Sequence, residues 1–436
     1  MDIFENNSLL LKDKKNLEQT PIPVVTVAAS FRDELARYHG VKEYFGDVED
    51  EVLFSRAHYS MALAALVCAW GGIKPDPKKA WGVDPTNYVT RQDWGKLEFT
   101  EEVGQLMARN SFLKWVKDLI DTKVRQKLPI TGAIATPLLM LFERVHRPIL
   151  SFHYETGNLL IGAGKQVVQV VTDPHVRPQY LEHAERPTIR YCVFDEKTRT
   201  DMLELAEVMG KDLDPKRVVV TGPPVDPRIV AARKKKSPTA YTKRPVRLVI
   251  TTGGLGTNKK EIETCFRSLA PLLRHAKIQL IVYVGVHEDI REMIHQIAKQ
   301  EGIPTAEKHH VEAPLRIFHS PHIVQANEML IQYAFPWADG FITKPSGDMA
   351  YDAAAAGCFL LTLEPWGEWE HNIRDIFEQR GISRRAIPEK LQEQLDSLLT
   401  AHGSPAWAET AIGNALALPK LFTEGIQNIL DQMPTS

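Results

Sequence analysis

The sequence has few cysteines, no long apolar run and almost no net charge. The four cysteines are Cys68, Cys192, Cys265 and Cys358. They are scattered in apolar contexts without a CxxC pair, which predicts buried reduced thiols rather than a disulfide scaffold or a metal cluster. The longest apolar stretch, residues 129–142, is shorter than the roughly 20 residues of a spanning helix. A net charge of -2 and a polar N-terminus argue against a nucleic-acid partner and a signal peptide, so we expect a cytoplasmic protein.

Strands and helices alternate along most of the chain. The strand-like segments of the second half are residues 246–254, 278–285, 339–344 and 358–365. The first half repeats the alternation, which predicts an α/β fold with two Rossmann-like, doubly wound parallel sheets facing a central cleft. A basic, proline-containing stretch marks the boundary. The predicted divisions are an N-terminal domain over 1–225, a linker over 226–245, a C-terminal domain over 246–400 and closing helices over 401–436.

The segment VITTGGLGTNKKEI, residues 249–262, places a glycine loop between a strand and a helix. Gly253, Gly254 and Gly256 permit a tight turn, and the helix N-terminus offers free N–H groups to a phosphate. An ordinary strand-to-helix turn explains these residues equally well. The third glycine of the dinucleotide fingerprint is missing, which disfavours a dinucleotide-dependent oxidoreductase.

A second strand-to-helix corner is FITKPSGDMAYDAAAAG, residues 341–357. Ser346, Gly347 and Asp348 offer donors or caps at the helix start, and Asp352 lies one helical turn beyond Asp348. A carboxylate at this position suits two sugar hydroxyls. The alternative is capping by Ser346 or Asp348, with Asp352 as a first-turn partner of the helix dipole.

The third polar segment, EPWGEWEHN at residues 364–372, follows a predicted strand. It combines carboxylates and an amide with two tryptophans, Trp366 and Trp369, which suits a sugar-binding surface. An amphipathic helix start is the alternative interpretation.

Together with VVVTGPPVDPR at residues 218–228, these three segments resemble motifs of the GT-B glycosyltransferases. The nearest branch contains the diacylglycerol glycosyltransferases and the peptidoglycan lipid-intermediate N-acetylglucosaminyltransferase. The resemblance is firmest over residues 188–381. It implies transfer of a sugar from a nucleotide-diphosphate donor, UDP-linked in this branch, to a hydroxyl acceptor, lipids included. The transfer inverts the anomeric centre and uses neither a metal nor another cofactor.

The resemblance also implies a set of donor-binding residues. They are Gly253, Gly254, Gly256, Lys344, Ser346, Gly347, Asp352, Glu368 and Asn372. Three of them depart from the family pattern: Ser346 replaces a glycine, Asp352 replaces a glutamate and Glu368 replaces a glutamine. Trp369 likewise stands in place of a glutamate. The altered sugar-facing run implies either a different donor preference or a loss of catalysis.

The resemblance places the base that deprotonates the acceptor in the N-terminal, acceptor-side domain. His58, in the counterpart of a glycine-x-glycine-histidine loop, is the first candidate because the usual histidine pKa lies near neutrality. Asp173 is the second candidate and His175 the third, while Glu155 is an acid without an assigned role. A helix-start role for His58 and a turn or cap role for Asp173 are the structural alternatives.

Residues 110–128 combine apolar residues at helical spacing with five basic residues. This pattern suits peripheral contact with anionic lipid, and equally a core-facing helix with a solvated basic face. Two other functions stay open: a GT-B-shaped nucleotide-sugar epimerase, and a protein that binds a nucleotide sugar without turnover.

Overall fold

The computed structural model describes residues 7–41, 53–90, 93–95, 129–307, 312–401 and 405–433. The predicted helix over 110–128 lies outside these residues. The chain divides into two compact units. Unit 1 comprises Met1–Asp226 with Glu424–Ser436, and unit 2 comprises Pro227–Thr423.

Unit 1 is built on one six-stranded parallel sheet. Its strands are β1 (Ile22–Val25), β2 (Ala80–Val83), β3 (Ile149–Ser151), β4 (Val167–Val170), β5 (Ile189–Val193) and β6 (Val218–Val220). Their spatial order is β2-β1-β3-β4-β5-β6, and each neighbouring pair is parallel. The described helices are α1 (Ser8–Gln19), α2 (Arg32–His39), α3 (Arg56–Trp70), α4 (Pro129–Phe142), α5 (Tyr154–Gly162), α6 (Glu196–Val208) and, after unit 2, α15 (Gly425–Leu430).

Unit 2 contains a seven-stranded parallel sheet. Its strands are β7 (Val246–Thr251), β8 (Ile278–Gly285), β9 (Thr305–Ala306), β10 (Leu315–His319), β11 (Gly340–Thr343), β12 (Phe359–Thr362) and β13 (Ser383–Arg385). Their order is β13-β12-β11-β7-β8-β10-β9, again with parallel neighbours. The described helices are α7 (Pro227–Ala232), α8 (Lys259–Arg274), α9 (Glu288–Gln300), α10 (Ile323–Met329), α11 (Met349–Ala355), α12 (Glu368–Gln379), α13 (Leu391–Leu399) and α14 (Trp407–Leu416).

Apolar periodicity explains how the helices of unit 2 attach to the sheet. In α8, Ile262, Phe266, Leu269 and Leu273 follow helical spacing and are fully or almost fully buried. They belong to the same core cluster as Leu248 and alternate residues of the neighbouring strands. Helix α11 has no exposed face, which accounts for its run of small alanines.

The parallel order of both sheets confirms the predicted α/β fold with two Rossmann-like domains. Outside the two sheets, Leu53 forms an isolated antiparallel bridge with Ala29. Among the described residues, no helix is both long and apolar enough to cross a membrane.

Candidate functional site

Three parallel strands of unit 2 deliver polar residues to one edge of the sheet. Strands β7, β11 and β12 are neighbours, and each ends in a buried threonine. The hydroxyl of Thr251 donates to that of Thr343 across 2.7 Å, which ties β7 to β11 at their carboxyl ends. In parallel α/β sheets ligands bind outside the carboxyl ends of the strands, which makes this edge a candidate ligand site.

The glycine loop connects β7 to α8. Gly256 donates its N–H to the Gly253 carbonyl at 2.9 Å, closing a tight turn, and its φ is +65°. Asn258, the residue before α8, also has a positive φ, and its side chain does not cap the helix. The buried His287 ring donates to the Gly254 carbonyl at 3.0 Å. A loop with this geometry leaves the helix start uncapped by its own Asn258 side chain.

Thr257 is a feature of the glycine loop that the sequence analysis did not identify. Its side chain is 4% exposed, and its hydroxyl has no hydrogen-bond partner among the described residues. A Cβ added to Gly253 would lie 2.5 Å from this hydroxyl and 2.9 Å from the Lys344 side chain. The absence of a side chain at residue 253 therefore lets Thr257 and Lys344 approach the loop backbone closely.

Lys344 forms a buried ion pair with Glu370. Its ammonium nitrogen lies 2.6 Å from Glu370 Oε1, and the two side chains are 15% and 1% exposed. The other carboxylate oxygen accepts the Trp366 N–H at 2.6 Å. Glu370 thus connects the corner after β11 to the loop after β12. An ammonium has three N–H donors, so Lys344 has donors beyond the one it gives to Glu370.

The helix after the Lys344 corner is capped by Ser346. The Ser346 hydroxyl accepts the Met349 N–H at 3.2 Å and donates to Asp348 Oδ1 at 2.6 Å. This geometry agrees with the capping interpretation for Ser346, whereas Asp348 makes no side-chain cap bond. Gly347 is buried in the same turn. Asp352 is buried in the first turn of α11, 5% exposed, which is unusual for a carboxylate.

The polar segment of residues 364–372 continues into the first turn of α12. Glu368 is exposed, whereas Asn372 is half-buried one turn later. Trp366 and Trp369 pack edge to face with ring centroids 5.8 Å apart, and Gly367 leaves the room that the Trp369 ring occupies. Within this segment, Glu370 pairs with Lys344 and accepts the Trp366 N–H, although it is not among the donor-binding residues that the resemblance implies.

Cations near this edge are matched by carboxylates. Lys259, at the start of α8, pairs with Asp289 at 2.6 Å, and Lys260 is exposed to solvent. Lys259 and Lys344 are thus each paired with a carboxylate, and Asp348 and Asp352 add two buried carboxylates at the corner after β11.

The carboxyl edge of the unit 1 sheet holds the predicted base. His58 Nδ1 lies 3.2 Å from the Val27 carbonyl, and Nε2 lies 3.1 Å from the Thr172 hydroxyl. Thr172 in turn contacts the Tyr180 hydroxyl at 3.2 Å. Thr172 directly precedes the predicted Asp173. Its position just after β4 is the sequence signal that could have identified it.

A second histidine accompanies His58. The His153 ring packs edge to face on His58 with centroids 5.0 Å apart, and its Nδ1 accepts the Glu155 N–H at 3.2 Å. Burial holds the pKa of His153 well below its usual range, and the positive charge of Arg177, or of His58 whenever that ring is protonated, acts in the same direction. His153 is therefore a neutral ring with its proton on Nε2, a donor rather than a base.

The remaining predicted residues of unit 1 lie near the same edge. Asp173 follows β4 and faces Arg177 at 3.9 Å, and His175 lies half-buried in the same loop. Glu155 accepts the Thr131 hydroxyl at 3.0 Å, and burial raises its pKa. Among the described residues, no group of three or more His, Cys, Asp and Glu side chains is arranged to hold a metal ion.

One protein family matches part of the chain. Its model, described as a domain of unknown function (DUF6938), covers residues 215–350, less than half of the sequence. No curated protein sequence matches the chain.

Several solved structures resemble almost the whole chain. MnaA from S. aureus, in complex with UDP, has a TM-score of 0.53 at 11% identity, covering 96% of this chain and 99% of that one. UDP-GlcNAc 2-epimerase from Neisseria meningitidis, bound to UDP-GlcNAc, has a TM-score of 0.52 at 10% identity, covering 94% and 99%. α,α-Trehalose 6-phosphate synthase from Burkholderia multivorans has a TM-score of 0.52 at 11% identity, covering 94% and 98%. At these identities the likeness shows the fold, which is the GT-B class of two Rossmann-like domains.

Proposed function

We propose that the chain is a glycosyltransferase that binds a nucleotide-diphosphate sugar at the carboxyl edge of the unit 2 sheet. The observation that carries the proposal is the convergence of the Gly253 loop, the Thr257 hydroxyl and Lys344 beside the start of α8. Uncapped N–H groups, a buried hydroxyl with no described partner and an ammonium are the donors that a diphosphate requires. The proposed donor is UDP-linked, because UDP and UDP-GlcNAc occupy two of the similar folds.

The other donor residues are proposed on their positions. Asp352 accepts the two ribose hydroxyls, and Ser346 and Gly347 shape the corner that holds the nucleotide. Gly254 and Gly256 line the diphosphate. Asn372 and Glu368 face the sugar, with the exposed Glu368 at the outer end. These residues all belong to unit 2.

The proposed reaction is an inverting displacement. The acceptor oxygen bonds to the anomeric carbon as the bond from that carbon to the diphosphate oxygen breaks. His58, or alternatively Asp173, takes the acceptor proton, and loop N–H groups with Lys344 stabilise the departing diphosphate. We propose that no protein-bound cation is needed, so activity should survive EDTA. A lipid acceptor is proposed from the family resemblance, with the pattern of residues 110–128 as local support for peripheral membrane contact. The proposed cytoplasmic location rests on the sequence alone.

An epimerase is the second candidate. Titratable side chains concentrate at the carboxyl edge of unit 1, where His58, His153, Glu155 and Asp173 lie. An epimerase requires several acids and bases around one sugar, and UDP-GlcNAc 2-epimerase shares the fold. Incubation with a panel of UDP-sugars separates the candidates. Acceptor-dependent UDP release indicates transfer, a changed sugar indicates epimerisation, and tight binding without turnover indicates a binding protein.

Calorimetry with UDP tests the donor site itself. Asp352→Asn keeps the shape of the side chain but removes its charge, and hydrogen bonds to a charged group contribute roughly 1.5–3 kcal/mol. We therefore expect UDP affinity to fall by about 10- to 150-fold. The control is Asp396→Asn, an exposed aspartate on α13. If Asp352→Asn binds UDP as tightly as the Asp396→Asn control, the ribose assignment is wrong.

A further inference from the structure

The partners of His58 determine which of its ring nitrogens donates and which accepts a hydrogen bond. The Val27 carbonyl only accepts, so the ring nitrogen 3.2 Å away, Nδ1, carries the proton in neutral His58. The lone pair then lies on Nε2, which accepts the Thr172 hydroxyl at 3.1 Å. The tautomer of His58 is thereby fixed by its neighbours.

The chain continues to Tyr180. The Thr172 oxygen, whose hydrogen points to His58, accepts the Tyr180 hydroxyl at 3.2 Å. The Thr172 backbone N–H points at the Tyr180 oxygen from 3.3 Å, so that oxygen already accepts one bond. Among the described residues, the Thr172 hydroxyl is the group that accepts the Tyr180 hydroxyl hydrogen. The residues are 2% and 5% exposed, so bulk water does not replace either partner.

Protonation of His58 disturbs this order. A new Nε2–H meets a Thr172 hydroxyl that already points at it, so the hydroxyl must turn. Its hydrogen then competes with the Thr172 N–H for the Tyr180 oxygen, and the buried Tyr180 hydrogen loses its acceptor. Burial raises the pKa of Tyr180 to about 12, so ionisation of the phenol does not relieve the conflict.

We propose that Thr172 and Tyr180 are positioning residues that hold His58 neutral, with its lone pair on Nε2. The inference rests on the proposed function in one respect, namely that His58 serves as the base. In that role the Thr172 hydroxyl, which now holds the single Nε2 lone pair, must turn aside so that the acceptor hydroxyl reaches Nε2. Nε2 then receives the proton that the acceptor hydroxyl loses as its oxygen bonds to the anomeric carbon.

Other ionisable groups also face or adjoin His58. They are His153 on the loop after β3, Asp173 and Arg177 on the loop after β4, Tyr180 itself, and Arg56 on the same helix. Variants at Thr172 and Tyr180 leave these charges in place. A change in His58 titration in such variants therefore reports the hydrogen-bond chain rather than a lost charge.

The test is nitrogen-15 NMR of the His58 ring in the full chain, assigned with the His58→Gln variant. In the wild type the neutral ring should carry its proton on Nδ1. Thr172→Val and Tyr180→Phe each break the chain, so the midpoint of His58 titration should rise by about 0.4 to 1.1 pH units, the equivalent of one hydrogen bond. Thr172→Ser keeps the hydroxyl and should leave the midpoint unchanged. Tyr180→Phe also preserves the ring that packs on Tyr154.

Two results would overturn the inference: a neutral ring protonated on Nε2, or unchanged midpoints in both Thr172→Val and Tyr180→Phe. Kinetics separates this failure from failure of the proposed function. If His58 is the base, the acidic limb of the kcat/KM profile for sugar transfer moves with the midpoint measured by NMR. A midpoint that moves without the limb leaves the positioning intact and removes His58 as the base.

Discussion

Replacing Lys344 by methionine removes the cation that faces a buried carboxylate. The two charged atoms are 2.6 Å apart, and the Glu370 side chain is 1% exposed, so water cannot take the place of the lysine. Breaking one side of a buried pair costs roughly 3–5 kcal/mol. Because Lys344 is itself 15% exposed and the Trp366 N–H still serves Glu370, we expect the lower end, about 3 kcal/mol.

Thermal unfolding of the full chain measures this cost. For a unit of 150–250 residues, 1 kcal/mol corresponds to roughly 2–4 °C. Lys344→Met should therefore lower the midpoint of the unit 2 transition by about 6–12 °C. The control is Arg267→Met, which breaks an exposed pair with Glu263 on α8 and should cost no more than about 0.5 kcal/mol.

The double variant Lys344→Met/Glu370→Gln gives a more discriminating test, because the effect of Glu370→Gln should change sign between the two backgrounds. In the wild-type background Glu370→Gln destabilises unit 2, because it leaves the lysine without its carboxylate. In the Lys344→Met background the same change should stabilise unit 2, because it removes an unpaired buried charge. If Glu370→Gln lowers the midpoint equally in both backgrounds, the two side chains are not coupled and the description of this corner is wrong.

Gly253→Ala should weaken UDP binding at least tenfold in calorimetry, since the new Cβ would meet Thr257 and Lys344, while Gly413→Ala, where nothing lies within 4 Å, should bind UDP normally. Normal binding by the first variant would exclude the loop from the donor site. For Asp84, burial raises the pKa to about 6 in the folded state, so its contribution to stability is complete at low pH and is lost as pH rises through 6. Between pH 5 and pH 7 the loss is about 1 kcal/mol, so the difference in the free energy of unfolding by urea between the wild type and Asp84→Asn should change by about that amount; a difference that does not change with pH would contradict this.

The sequence predicted the fold because local patterns specify it. Apolar strand segments that alternate with helical ones predict parallel strands, and both sheets consist of parallel strands. The five-residue strand β10 escaped prediction because Arg316 interrupts its apolar run. The Arg316 guanidinium stacks over the Trp337 ring, 4.4 Å from the ring centroid. Local sequence periodicity does not predict this contact.

Only the parts of the candidate site that depend on backbone motifs could be predicted from the sequence. The glycine loop and the Lys344 corner follow from strand ends and turn residues, which are local properties. The partner of Lys344 is 26 residues away along the chain and depends on how two flexible side chains meet. The roles proposed for Thr257 and Tyr180 depend on burial and on hydrogen-bond direction. The amino-acid sequence alone shows neither property.

Helix α15 completes unit 1 although it follows all of unit 2 in the chain. Gly425 packs against the Pro223 carbonyl where a Cβ has no room, and the Asn428 side chain donates to the Thr221 carbonyl at 2.9 Å. During synthesis at about 5–20 residues per second, unit 1 therefore waits roughly 10–40 s for its last helix while unit 2 leaves the ribosome. A truncation before Gly425 would remove a helix from unit 1, which is synthesised first, and would leave unit 2 with all of its residues.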